Sequence, residues 1–171
     1  MRLWQQRVLG ILALGGGYLG ATLVAATLFT PGPWLSKVFT LAFIGLYAWG
    51  VWCGLRLLEG DSGAIRANRL YWALQVPIFM SSLMGYRFAS GLLFCITYEF
   101  GTGIGWSAQI GSQFQYSLLQ VQPLLIGVNL FALVVTIFLS YQLRGESSNN
   151  SFKPNPLRSF KTTSDSSGGS A

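Results

Sequence analysis

The chain contains no histidine and only five acidic residues among 171. The first absence removes imidazole ligands for haem or zinc and the commonest general base. The second leaves few carboxylates: Glu59 and Asp61 share a short segment with Arg56, Arg66 and Arg69, which reads as a solvated turn rather than an acid/base pair. Cysteine is equally sparse. Cys53 and Cys95 form no CxxC motif and are expected toward opposite faces of a membrane, which leaves a dithiol relay and a disulfide between them unsupported. The expectation is a protein that is not an enzyme, with no catalytic residues, no metal ligands and no cofactor.

Charge is scarce too. Charged residues are 9% of the chain and hydrophobic residues 51%, so a soluble helical domain would lack the polar helix faces it needs. In their place stand four long apolar stretches, at 8–29, 38–58, 70–91 and 121–143. Each is near the ~20 residues that carry a helix across a hydrocarbon core. The expected fold is an all-α membrane protein: a four-transmembrane-helix bundle over 1–143, a Gly-rich outer loop around 97–117, and a disordered tail over 144–171.

A secretory signal peptide competes for the first stretch, because Met1 to Arg7 is basic and Leu23 to Ala26 resembles a cleavage site. The apolar run from Val8 to Phe29 exceeds the ~7 to 15 residues of a signal core before Thr30-Pro31-Gly32-Pro33 breaks it, which favours an anchor. Orientation follows from Lys and Arg. Arg2, Arg7, Arg56, Arg66, Arg69, Arg144, Lys153, Arg158 and Lys161 fall on one side of the four-span arrangement, and only Lys37 and Arg87 lie elsewhere. Short basic loops resist translocation, so a multi-pass protein with both termini cytoplasmic is expected. The net charge of +6 is accounted for by these flanks and by the tail, and no nucleic-acid partner is implied.

Small residues at four-residue spacing suggest close helix packing. Ala13, Gly17, Ala21 and Ala25, with Gly16 and Gly20 beside them, form one groove; Gly50 and Gly54 form a second, and Ser81, Gly85 and Ala89 a third. Trp4, Trp34, Tyr71, Trp72, Trp106 and Tyr141 are expected at the membrane interfaces. Tyr47, Trp49 and Trp52, deeper in the second stretch, are expected to pack on the grooves.

The polar residues within apolar stretches, Arg87, Asn129 and Gln75, together with Glu99 in the outer loop, are the candidate functional cluster. Pro77 is expected to kink the third helix by leaving the carbonyl of Ala73 unpaired, with Ser81 and Ser82 repairing the break. Counted along straight helices, Arg87 lies about 25 Å and Asn129 about 21 Å from the inner boundary, at matching depths. Glu99 reaches Arg87 only if the chain turns, which Gly91 and Gly101, Gly103 and Gly105 permit. These glycines follow no strand and carry no basic residue, so they are no phosphate fingerprint.

Three function classes follow, in this order: a non-enzymatic accessory or assembly subunit acting through its packing faces, a small transporter or channel with a polar pathway around Arg87, Asn129 and Gln75, and a membrane enzyme. Expected partners are the lipid bilayer and another membrane protein or a second copy. Anionic lipid is a candidate partner for the tail, where Phe152, Lys153, Leu157, Arg158, Phe160 and Lys161 interleave apolar and basic groups.

Overall fold

The computed structural model describes residues 3–61, 63–118 and 122–150, so the expected tail from 151 onward, with its candidate lipid-binding groups, lies outside the described residues. Its first two elements are the helices α1 (Leu3–Thr27) and α2 (Trp34–Leu58), each of 25 residues, or about 37 Å. Pro31 and Pro33 offer no backbone donor, so neither helix continues through the connection. The two pack antiparallel along their small residues. A Cβ on Gly54 would stand 2.7 Å from the Leu14 amide nitrogen, and one on Gly17 would stand 2.8 Å from the Tyr47 carbonyl oxygen. Only glycine allows backbones so close.

A short helix, α3 (Ala64–Ala73), then folds back on α2, where the buried Asn68 amide donates to the Cys53 carbonyl at 2.8 Å. Six strands follow: β1 (Pro77–Met80), β2 (Met84–Ala89), β3 (Leu92–Glu99), β4 (Gly103–Ile110), β5 (Gln113–Leu118) and β6 (Leu125–Asn129). The last helix is α4 (Leu130–Asn150). The strands form one antiparallel sheet of order β4-β3-β6-β1-β2-β5.

One register runs through four of these strands. β2 pairs with β5 from Met84 opposite Leu118 to Ala89 opposite Gln113, and β3 pairs with β4 from Leu92 opposite Ile110 to Glu99 opposite Gly103, without a slip. The segments 84–99 and 103–118 are therefore a single long hairpin, bent at Ser90-Gly91 and Gly111-Ser112. β1 and β6 sit in the angle of the bend, β1 pairing with the near half and β6 with the far half. The result is a strongly curled half-barrel.

This architecture replaces the expected all-α four-span bundle. The stretch 70–91 is the end of α3 followed by β1 and β2, the Gly-rich segment is β3 to β5, and 121–143 becomes helical only from Leu130. Pro77 kinks nothing: α3 has already ended, the Val76 amide bonds the Ala73 carbonyl at 3.2 Å, and Pro77 opens β1, where a missing donor is tolerated. Ser81 belongs to the β1–β2 turn, its hydroxyl bonding the Met84 carbonyl at 2.9 Å. Two helices, α1 and α2, are long and apolar enough to cross a membrane, and the apolar part of α4, Leu130–Gly145, is shorter.

Two cores hold the fold. The outer face of β2 and β5 packs on α2, with Phe43 lying 5.6 to 6.2 Å from the rings of Tyr86, Phe88, Phe114 and Tyr116. Tyr47 and Phe88 meet at 4.9 Å, and the Tyr47 hydroxyl donates to the Ala89 carbonyl. The same core continues through α3 and α4. Tyr71 and Trp72 lie fully inside it, away from the interfacial positions expected for them, while Trp4, Trp34, Trp106 and Tyr141 are exposed. A second, smaller core of Ile78, Ala89, Leu93 and Cys95 fills the concave side of the sheet.

Candidate functional site

The concave side of the half-barrel gathers the polar residues of the strands. Arg87 on β2 reaches Cys95 on β3, its Nη2 lying 3.3 Å from the thiol sulfur and 3.5 Å from the Ser107 hydroxyl of β4. Two strands, β6 and β1, separate β2 from β3 in the sheet. The contact exists because the hairpin bend folds one half over the other. Strand alternation then puts Gln113, Gln115 and Ser117 of β5 and Thr97 and Glu99 of β3 on the same side as Arg87. A cavity of about 190 Å³ opens beside the guanidinium, walled by Ile78, Met80, Leu125 and Pro123, with Gln115 and Gln122 at its rim.

The four candidate polar residues part company in this fold. Asn129 is the N-cap of α4: its Oδ1 accepts the Ala132 amide at 3.3 Å and, from across the sheet, the Phe94 amide at 3.4 Å. Gln75 is fully buried beneath the hairpin bend, where its Oε1 accepts the Ser90 amide at 2.8 Å. Both side chains serve backbone groups that helix and sheet leave unpaired. Asn129 stands opposite Cys95 in the β3–β6 register, so it and Arg87 flank the same thiol. Glu99 lies four residues further along β3, roughly 13 Å from Cys95. Among the described residues the one ion pair joins Arg56 to Asp61 at 3.4 Å, both partly exposed.

The small residues also separate by role. Gly10, Gly17 and Gly54 admit the neighbouring helix, Gly20 lies under the Tyr47 ring, and Gly50 lies under the Tyr71 ring. Gly16 receives the hairpin bend, a Cβ there standing 2.7 Å from the Ser90 carbonyl carbon, and the Ser112 hydroxyl donates to the Gly16 carbonyl. Gly85 is a sheet residue, packed against the Met80 sulfur.

The convex side has the opposite character. Ile96 faces Trp106 on one flank and Val128 on the other; Tyr98 faces Ile104 and Ile126 in the next row. All six are exposed, Ile104 by 81% and Trp106 by 75%. Along β3 and β4 the alternates on the concave side are Cys95, Thr97, Ser107 and Gln109, and the large apolar residues lie on the convex side. Where this face meets α4, Leu92, Phe94, Ile110, Leu130, Phe131 and Val134 line an apolar cleft of about 690 Å³.

Burial raises the Tyr71 hydroxyl above the ordinary phenol range and the Tyr86 hydroxyl to about 12, and the Tyr86 hydroxyl donates to the Leu74 carbonyl at 2.9 Å. Among the described residues no group of His, Cys, Asp and Glu is placed to hold a metal ion. The period-two pattern Gly-Ile-Gly-Trp-Ser-Ala-Gln-Ile over 103–110, followed by Gln-Phe-Gln-Tyr-Ser-Leu over 113–118, is the sequence signal that identifies this site as sheet. Comparisons with protein families, with curated proteins and with solved structures find no match for this chain.

Proposed function

We propose that the chain is a non-enzymatic membrane protein that assembles with another membrane protein through the convex face of β3, β4 and β6. The observation that carries this reading is the pair of exposed apolar rows, Ile96–Trp106–Val128 and Tyr98–Ile104–Ile126, on the convex face. A contiguous apolar patch of this kind marks a surface that is covered in the working state. β4 is also an edge strand, and Gly103–Ile110 contains no charge and no proline to guard it against pairing.

The α1–α2 hairpin is the proposed anchor. Its outer surface presents Val8, Ile11, Leu19, Leu23, Val38 and Leu41, and lipid covers such side chains at no cost in hydration. The antiparallel packing brings Arg7 and Arg56 to one end of the hairpin, where α3 carries Arg66 and Arg69. α4 runs antiparallel to α3, Phe131 lying against Trp72, and so brings Arg144 to that end as well. The positive-inside rule makes this the cytoplasmic end. A polar conduit through Gln75, Arg87 and Asn129 is the weaker reading, since Gln75 and Asn129 are engaged with backbone amides.

The test is site-specific photocrosslinking in native membranes. A benzophenone side chain at Ile104 or Trp106 is expected to give a discrete protein adduct, and one at Lys37 is not. Adducts to lipid alone at both convex positions would overturn the assembly reading, and release of the protein by alkaline carbonate would overturn the membrane anchor.

A further inference from the structure

We infer that the concave side of the half-barrel is a binding site for a small organic monoanion, a carboxylate carrying a short apolar tail, with Arg87 as its cation. This inference goes beyond the assembly reading and does not depend on it. Arg87 is half-buried, and among the described residues no carboxylate lies within ion-pair distance of its guanidinium. Its two hydrogen-bond partners are weak ones: a thiol at 3.3 Å and a hydroxyl at 3.5 Å, both on Nη2. The Nε–H is buried and has no partner among the described residues. A guanidinium partly withdrawn from water, with its buried Nε–H unspent, favours an anion.

The space beside it suits a particular anion. The cavity of about 190 Å³ holds one side chain of either charge sign, Arg87, and its walls at Ile78, Met80, Leu125 and Pro123 are apolar. One positive charge balances a monoanion and undercompensates a phosphate dianion. The planar fork of a guanidinium matches the two oxygens of a carboxylate, and the apolar walls take a short hydrocarbon tail. Gln115, exposed at the rim on the neighbouring strand, stands opposite Arg87 in register and supplies an amide donor within reach of the same carboxylate.

The experiment measures binding of hexanoate to the full chain in a non-ionic detergent by isothermal titration calorimetry. Hexanol, acetate and inorganic phosphate serve as the neutral, tail-less and dianionic comparisons. Hexanoate is expected to bind, and hexanol and acetate to bind at least about tenfold more weakly, each lacking one of the two recognised parts. Arg87→Gln is expected to reduce hexanoate affinity by about tenfold or more, and Arg87→Lys to retain part of it. Leu125→Trp, which fills the cavity and leaves Arg87 in place, is expected to block binding as well. Size-exclusion profiles and circular dichroism identify any variant that has failed to fold, so that one of the three remains to decide. No heat from hexanoate, equal affinity for hexanol, or unchanged affinity in folded Arg87→Gln would each overturn the site; phosphate binding more tightly than hexanoate would overturn its chemical class.

Discussion

The Gly111 amide donates to the Gly91 carbonyl at 2.9 Å across the bend of the long hairpin, and both residues have positive φ, +88° at Gly91 and +124° at Gly111. This pair turns one hairpin into two sides of a half-barrel. The bend also rests on α1, since a Cβ on Gly91 would stand 3.2 Å from the Leu12 carbonyl oxygen.

Gly91→Ala is therefore expected to destabilise the protein by about 1–2 kcal/mol, the cost of a left-handed conformation for a residue with a Cβ. Gly45→Ala is the control: it lies in α2 with nothing within 4 Å of the new methyl. That change is expected to stabilise by about 0.5–1 kcal/mol. Thermal midpoints in detergent check both, and equal midpoints would contradict the role of the bend.

Asn129 joins sheet to helix through one oxygen. Asn129→Ala removes the α4 cap and strands the Phe94 amide, at an expected cost of about 1–3 kcal/mol. Hydrogen exchange is expected to quicken first at Phe131 and Ala132, in the first turn of α4. Uniform acceleration over the whole chain would argue against a local cap.

The α1–α2 seam couples Gly20 to Tyr47. Gly20→Ala overpacks the Tyr47 ring and is expected to cost about 1–3 kcal/mol. Combined with Tyr47→Leu, which vacates that space, the loss is expected to fall short of the sum of the single losses by about 0.5–3 kcal/mol. Strict additivity in the double-mutant cycle would show that the two do not touch.

Tyr86 predicts an alkaline limit. Burial raises its pKa from 10 to about 12, so the folded state holds the phenolic proton more tightly than the unfolded chain. The associated stability is fully present below pH 10 and is lost as the pH rises through about 12. Tyr86→Phe loses the hydrogen bond to Leu74, about 1 kcal/mol at neutral pH, yet is expected to show a shallower decline above pH 10. A parallel decline in both proteins would assign the alkaline limit to another group.

Parts of this fold were legible before any coordinates. The α1 and α2 stretches are apolar on every face and long enough to cross a membrane, and Pro31 and Pro33 mark the break between them. The alternation over 103–118 was equally readable as strand, but the glycines within it read as loop, because a glycine contributes the same absence of side chain to either. The stretch 70–91 was harder. Phe88 faces α2 and Ala89 faces the inner core, so β2 near the bend is buried on both sides, and a strand buried on both sides carries no alternation for a hydropathy window to detect.

The sequence by itself determined the apolar composition and the two long helices. These follow from composition and local order, which need no partner. Only the tertiary structure decided that the Gln75 Oε1 and the Asn129 Oδ1 accept from backbone amides while the Arg87 Nε–H lies beside a cavity without a partner among the described residues. Arg87 and Cys95 are eight residues apart in the chain, on strands with two others between them in the sheet, and they meet because the hairpin bends between them. Such proximity depends on backbone dihedrals at Gly91 and Gly111 and on α1 packing against the bend, and neither is written in the identity of the residues that meet.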